Sequence, residues 1–212
     1  MKLKVCGLTQ IDQIHELISM ETDFLGFIFY EKSPRYVLNH LILEDISKLN
    51  HQGKIGVFVN EDLDKIIEIS EKANLNFIQL HGDEDENFIS ELRKKLKPEM
   101  GIIKVIRIGN CVLEAGNDIQ QTINKQLKTS NYFLFDTDSK AFGGTGKQFD
   151  WNLLNDIEIP LPYFLSGGIS DENINQIKIL NQKPFALDIN SKFEIEAGFK
   201  DVNKIKEFHE KL

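Results

Sequence analysis

The segment Leu3-Lys4-Val5-Cys6-Gly7-Leu8-Thr9-Gln10-Ile11-Asp12-Gln13-Ile14-His15-Glu16-Leu17-Ile18 carries the pattern on which the fold turns. A short apolar run, Leu3 to Val5, gives way at Gly7 to a stretch in which Ile11, Ile14, Leu17 and Ile18 recur at helical spacing. Thr9-Gln10-Ile11-Asp12 has the form of a capping box, which places a helix start there. The alternation continues along the chain. Further apolar, β-rich runs stand at Phe24 to Phe29, Ile55 to Val59, Phe77 to Leu80, Ile102 to Ile106, Tyr132 to Phe135, Tyr163 to Leu165 and Phe185 to Ile189, with amphipathic stretches such as Leu63, Ile66, Ile67 between most of them. Strands separated by helices point to a parallel sheet, because parallel pairing needs a crossover connection. Eight such units within 212 residues predict an α/β fold, a compact (β/α)8 TIM barrel forming a single domain over 1–212. An open doubly wound sheet is the alternative. Two further helix starts are expected, one capped at Ser170-Asp171-Glu172 ahead of Ile174 and Ile177, the other with Asp83-Glu84-Asp85-Glu86 as its first turn.

Composition narrows the partners. With 41% hydrophobic and 27% charged residues, a chain of this length buries about 70% of its unfolded surface without disulfides or metal. Lys+Arg 25 against Asp+Glu 33 leaves a net charge of −8, a field that repels nucleic acid and anionic membranes, so any anionic ligand must be held by local groups. The longest strongly apolar stretch, Phe24 to Tyr30, is far short of a membrane span. The start Met1-Lys2-Leu3-Lys4 has no apolar leader core, and the chain is expected to be cytoplasmic. Cys6 and Cys111 are read as free thiols, and Cys111 as structural. The histidines at 15, 40, 51, 81 and 209 are scattered, and no metal site is predicted.

In a barrel the chemistry sits at the C-terminal ends of the strands, where this sequence places Cys6, Tyr30, Asn60, His81, Arg107, Asp136, Ser166-Gly167-Gly168, and Asp188 with Asn190-Ser191. Strand side chains alternate between faces. The purely apolar parity belongs against the helices, so Leu3, Val5, Ile78 and Leu80 are assigned outward, and Lys4, Cys6, Gln79, His81, Leu134 and Asp136 inward. Cys6, ahead of a helix start and two residues from Lys4, is expected to favour thiolate and to serve as general base or nucleophile; the alternative is a small buried hydrophobe. Asp136 closes the aromatic run Tyr132-Phe133-Leu134-Phe135, where a carboxyl with a raised pKa could act as general acid or simply make an Asx-turn. Gly143-Gly144-Thr145-Gly146 reads as a flexible lid, since Ala141 and Gln148 break the nucleotide P-loop pattern. Gly167-Gly168 and Asn190-Ser191 are candidate phosphate loops. Arg35, stiffened by Pro34, could grip a carboxylate in bidentate fashion, and His81 could orient a ligand, shuttle protons or be structural.

The ordered blocks Lys4-Val5-Cys6-Gly7-Leu8-Thr9, Ser33-Pro34-Arg35-Tyr36-Val37, Gly56-Val57-Phe58-Val59-Asn60, Ile78-Gln79-Leu80-His81-Gly82-Asp83, Leu134-Phe135-Asp136, Phe164-Leu165-Ser166-Gly167-Gly168-Ile169 and Leu187-Asp188-Ile189-Asn190-Ser191 through Gly198-Phe199-Lys200-Asp201 resemble phosphoribosylanthranilate isomerases of tryptophan biosynthesis over essentially the whole chain. The resemblance implies an Amadori rearrangement of a small phosphorylated substrate, without cofactor; the chain is expected to act as a monomer or homodimer, a choice the sequence does not make. Cys6 then looks like the general base, Asp136 the general acid, Arg35 the carboxylate-binding residue, and Gly167, Gly168, Asn190 and Ser191 the phosphate loops; His81 is taken as a pocket residue from its place at a strand end. Two departures stand out: Lys192-Phe193 where the family usually has Gly-Val before the Glu, and Ala197 where Pro often precedes the Gly. The competing expectations are another phosphate-binding barrel enzyme, of the sugar-phosphate isomerase or indole-glycerol-phosphate synthase type, and a barrel that only binds a phosphometabolite.

Overall fold

The computed structural model describes residues 1–109, 115–137 and 148–212. Strands β1 (Lys2–Val5), β2 (Phe24–Ile28), β3 (Lys54–Phe58), β4 (Phe77–Leu80), β5 (Gly101–Ile108), β6 (Tyr132–Thr137), β7 (Tyr163–Leu165) and β8 (Ala186–Ile189) pair in sequence order, and β8 closes onto β1 to complete a barrel. Every pairing in the barrel is parallel, from Lys4↔Phe24 between β1 and β2 to Lys4↔Asp188 between β1 and β8. Helices α1 (Ile11–Ser19), α2 (Leu43–Lys48), α3 (Leu63–Lys72), α4 (Glu86–Lys95) and α5 (Ala115–Gln126) follow the first five strands, and α6 (Val202–His209) follows the last. A two-stranded antiparallel hairpin, β9 (Glu194–Glu196) and β10 (Phe199–Lys200), stands between β8 and α6.

Two apolar layers account for the stability of this arrangement, each large buried side chain contributing about 1.5–3 kcal/mol. The outer layer, between strands and helices, takes Leu3, Val5, Ile78, Leu80, Phe133 and Phe135. The inner layer fills the barrel with Phe24, Ile55, Ile103, Val105, Leu134, Phe164 and Ala186, backed by Phe77, Tyr132 and Phe185. The face assignments made from alternation in β1, β4 and β6 therefore hold. Phe24 meets Phe77 at 5.6 Å and Phe164 at 5.2 Å, and Tyr132 meets Phe164 at 5.7 Å, all edge to face. Because Phe24, Phe77 and Tyr132 open their strands, the N-terminal end of the barrel is plugged and the opposite end is left to polar groups.

Local details depart from expectation at three places. Thr9 does not cap α1: its hydroxyl donates to the Gly198 carbonyl at 2.6 Å, and Gln10 occupies the cap position without a side-chain capping bond. Ser170 is not the cap of a regular helix; a 3-10 segment, Ile174–Ile179, follows Asn173, whose Oδ1 accepts the Ser170 N–H at 2.9 Å. A 3-10 turn covers more length per residue, which suits the short return from β7 to β8. Within the acidic run, α4 starts only at Glu86 under an Asp85 cap. Glu84 is instead buried, taking the Asn60 and Gly82 N–H groups at 2.9 and 3.1 Å and the Lys104 ammonium at 2.8 Å, so it ties the loops after β3 and β4 together.

Candidate active site

Cys6 follows β1, with its N–H on the Ile189 carbonyl of β8 at 2.9 Å. Its side chain points inward beside β2, where a Cβ on Gly26 would come within 2.9 Å of Sγ; glycine at 26 makes the space for the thiol. Lys4, one inward step deeper on β1, is wholly buried and reaches Asp188 of β8 at 2.9 Å. Burial works against the Lys4 ammonium, but Asp188 and Cys6 hold its proton above the ordinary range. The thiol itself goes the other way from the expectation that a nearby cation and helix start would favour thiolate. Burial pushes the Cys6 thiol up, the Asp188 charge adds to that, and Lys4 and Lys200 only partly offset it. The helix contributes little because α1 begins at Ile11, several residues beyond.

Asp136, near the end of β6, faces the same mouth. One oxygen accepts the Thr137 N–H at 2.8 Å and the other lies 3.5 Å from Nε2 of His81. Its carboxyl is pushed up to about 7, first by burial and then by the Asp188 charge. The raised value matches expectation while its cause differs, because Phe133 and Phe135 turn outward and supply no aromatic wall. His81 is held down at about 3 by burial and by the charges of Lys4, Arg107 and Lys104, so it faces Asp136 as a neutral imidazole.

Arg35 leaves the loop after β2 and meets Glu194 of β9 with two edges in register: Nε to Oε1 at 2.9 Å and to Oε2 at 3.0 Å, Nη2 to Oε2 at 2.6 Å. Lys200 of β10 donates to the same carboxylate at 2.7 Å and to Oδ1 of Asn190 at 2.8 Å. Burial draws the Lys200 ammonium down, with Glu194 opposing; at Glu194 burial is outweighed by Arg35 and Lys200, which keep its carboxyl below the usual range. A Cβ on Gly7, whose φ is +74°, would lie 2.7 Å from Arg35 Cδ and 2.9 Å from Asn190 Oδ1, so glycine here lets the loops after β1, β2 and β8 converge. Gly167 and Gly168 follow β7 with φ of +85° and +71°, and a Cβ at 167 would come within 2.5 Å of the Thr137 hydroxyl.

The fold thus brings Cys6, Asp136, His81, Arg35, Gly167, Gly168, Asn190 and Ser191 to one end of the barrel. Gly143, Gly144, Thr145 and Gly146, with Cys111, lie outside the described residues. Glu194 and Lys200 were not singled out from sequence; the signal available was alternation in Glu194-Ile195-Glu196 before Gly198-Phe199-Lys200, which marks a hairpin with a polar face. The Lys192-Phe193 departure seats the hairpin: Phe193 is buried against Phe208 of α6 at 4.8 Å, and Lys204 donates to the Lys192 carbonyl at 2.7 Å. Among the described residues, no group of three or more His, Cys, Asp or Glu could hold a metal ion, and no helix is long and apolar enough to cross a membrane.

A closed parallel barrel with buried acids, a thiol and cations converging at its C-terminal mouth has the build of a barrel enzyme. The sequence matches the family described as N-(5'phosphoribosyl)anthranilate (PRA) isomerase over residues 3–211. It is 37% identical over 214 residues to the N-(5'-phosphoribosyl)anthranilate isomerase of Caldanaerobacter subterraneus subsp. tengcongensis, covering 100% of this chain and 97% of that protein. It is 38% identical over 213 residues to that of Staphylococcus aureus, covering 97% and 93%. The structure superposes on the phosphoribosyl anthranilate isomerase of Thermotoga maritima with a TM-score of 0.80 at 30% identity, covering 99% of this chain and 97% of that one. A phosphoribosyl anthranilate isomerase in complex with reduced 1-(o-carboxyphenylamino)-1-deoxyribulose 5-phosphate gives 0.75 at 28%, covering 98% and 95%. The chain belongs to the phosphoribosylanthranilate isomerase family.

Proposed function

We propose that this chain converts N-(5-phosphoribosyl)anthranilate into 1-(2-carboxyphenylamino)-1-deoxyribulose 5-phosphate, the isomerisation step of tryptophan biosynthesis, with Asp136 as general acid and Cys6 as general base. The observation that carries the assignment of roles is Asp136: buried, and still holding its proton up to about pH 7, it is the group at the mouth ready to donate. Its proton goes to the furanose ring oxygen as the C1–O bond breaks, and the nitrogen lone pair forms the C1=N bond of an open-chain Schiff base. Cys6, as thiolate, then takes the proton from C2, giving an enolamine that becomes the C2 ketone when C1 is protonated and the C2 hydroxyl gives up its proton. A thiolate is disfavoured by burial, and Lys4 and Lys200 are the charges that lower its cost. Arg35 receives the anthranilate carboxylate, and the loops Gly167-Gly168 and Asn190-Ser191 receive the phosphate. His81, neutral beside Asp136, lines the pocket. The substrate supplies every atom of the product, so the chemistry calls for no cofactor. The setting is the cytoplasm, and the working form a monomer or a homodimer.

The test is to add purified protein to freshly prepared phosphoribosylanthranilate and follow its fluorescence. The signal is expected to decay far faster than the spontaneous rate. Decay at the background rate defeats the assignment.

A further inference from the structure

The carboxylate-receiving arginine already holds a carboxylate. Glu194 occupies the Nε/Nη2 edge of Arg35 at 2.6 to 3.0 Å, and its Oε1 also takes the Lys200 ammonium at 2.7 Å and the Gly198 N–H at 3.1 Å. All three side chains are largely withdrawn from solvent, so the ion pairs are weakly screened. An Arg–Glu pair by itself is neutral and would offer an incoming anion little. Two cations on one carboxylate leave a charge of +1, and the guanidinium is fixed by one edge so that its Nη1 side is the one presented.

Resting on the functional reading above, we propose that Glu194 is a positioning residue for carboxylate recognition: it orients Arg35, while Lys200 neutralises Glu194 so that Arg35 keeps its charge for the ligand. The hairpin that carries both residues is pinned where this role needs it. Thr9 donates to the Gly198 carbonyl at 2.6 Å, and Gln13 exchanges two hydrogen bonds with the Lys200 backbone, at 2.6 and 2.8 Å. Lys200 also reaches Asn190 of the candidate phosphate loop, so the two ends of the ligand site share one buried ammonium. The requirement for a carboxylate on the substrate is thus set by a residue that does not touch it.

The experiment measures equilibrium binding of two ligands to the full chain: reduced 1-(o-carboxyphenylamino)-1-deoxyribulose 5-phosphate and the same compound lacking the ring carboxylate. The ratio of the two affinities reads carboxylate recognition alone. Glu194→Gln is expected to shrink that ratio about tenfold, the scale of a lost hydrogen bond to a charged group, while the affinity for the des-carboxy compound stays within about twofold. Lys200→Met, which acts from the other side of Glu194, is expected to shrink it in the same direction. A ratio unchanged in both variants, or an equal loss for both ligands, overturns the proposal; the second pattern is what general loosening of the fold would give. The outcome separates from that of the turnover assay. A wild-type chain that binds the carboxy compound selectively but does not turn over defeats the reaction and leaves Glu194 in its role, whereas normal turnover with an unchanged ratio defeats only the role of Glu194.

Discussion

Phe24, Phe77 and Tyr132, which open their strands, and Phe164 of β7 meet edge to face; two or four residues further along the chain stand Gly26, His81, Asp136 and Ser166. Even spacing keeps a side chain on the inward face, and each two-residue step moves it about 7 Å toward the mouth. One face of one sheet therefore changes from an aromatic plug to small, polar and ionisable residues within a step or two. The plug is what permits the mouth. Rings packed against one another below let Lys4, Asp136 and Asp188 be held at low solvent exposure, where their charges act on each other strongly.

The division can be broken from either side. The largest expected effect is at the mouth: Asp136→Asn should lower kcat by roughly 10² to 10⁴-fold, the range for a general acid, and wild-type turnover should decline as pH rises above about 7. The same residue should act oppositely on stability. The folded chain keeps the Asp136 proton up to about pH 7, while an unfolded chain releases it near 3.9, so the folded state binds more protons in that window and loses stability as pH rises through it. Asp136→Asn removes the loss, and its Tm advantage over wild type should grow from pH 4 to pH 7, worth up to about 4 kcal/mol. A variant less stable than wild type at pH 8 would contradict the buried, destabilising carboxylate. At the plug, Phe164→Ala should cost about 3–5 kcal/mol in urea unfolding with KM nearly unchanged. A tenfold change in KM without loss of stability would erase the distinction between the two ends. Arg35→Ala comes next, expected to raise KM about 10 to 100-fold with a smaller change in kcat, as measured by initial rates. Lys72→Ala, which removes an exposed pair with Glu68 on α3, belongs to neither end and should leave Tm and turnover as they are.

The strands and the faces of β1, β4 and β6 were legible in the sequence because alternation is a local signal, and Leu3, Lys4 and Val5 declare their faces within three residues; the aromatic plug was not, because its rings come from strands far apart in the chain. The mouth was legible only in part. Asp136 and Cys6 could be nominated as strand-end residues, but the direction of the Cys6 shift depends on how deeply the thiol is buried, and burial is a property of the closed barrel. Glu84 hid in an acidic run whose neighbours do form a helix start, and its partner Lys104 lies on the next strand. Glu194 and Lys200 were missed for the same kind of reason: Arg35 and Glu194 are 159 positions apart, and nothing local says that they meet.

That distance has a consequence for the order in which the molecule is made. Lys4 with Asp188, Gln13 with Lys200 and Thr9 with Gly198 join residues 184, 187 and 189 positions apart, so the first unit of the chain must wait for nearly the last before these bonds can close. Contacts of such long range form late, after the loop-closure entropy between them has been overcome. Until the hairpin at 194–200 has emerged, Arg35 lacks the Glu194 carboxylate that holds it, and Cys6 lacks the second lysine beside it. The candidate site is therefore also the seam at which the first unit of the barrel is joined to the last.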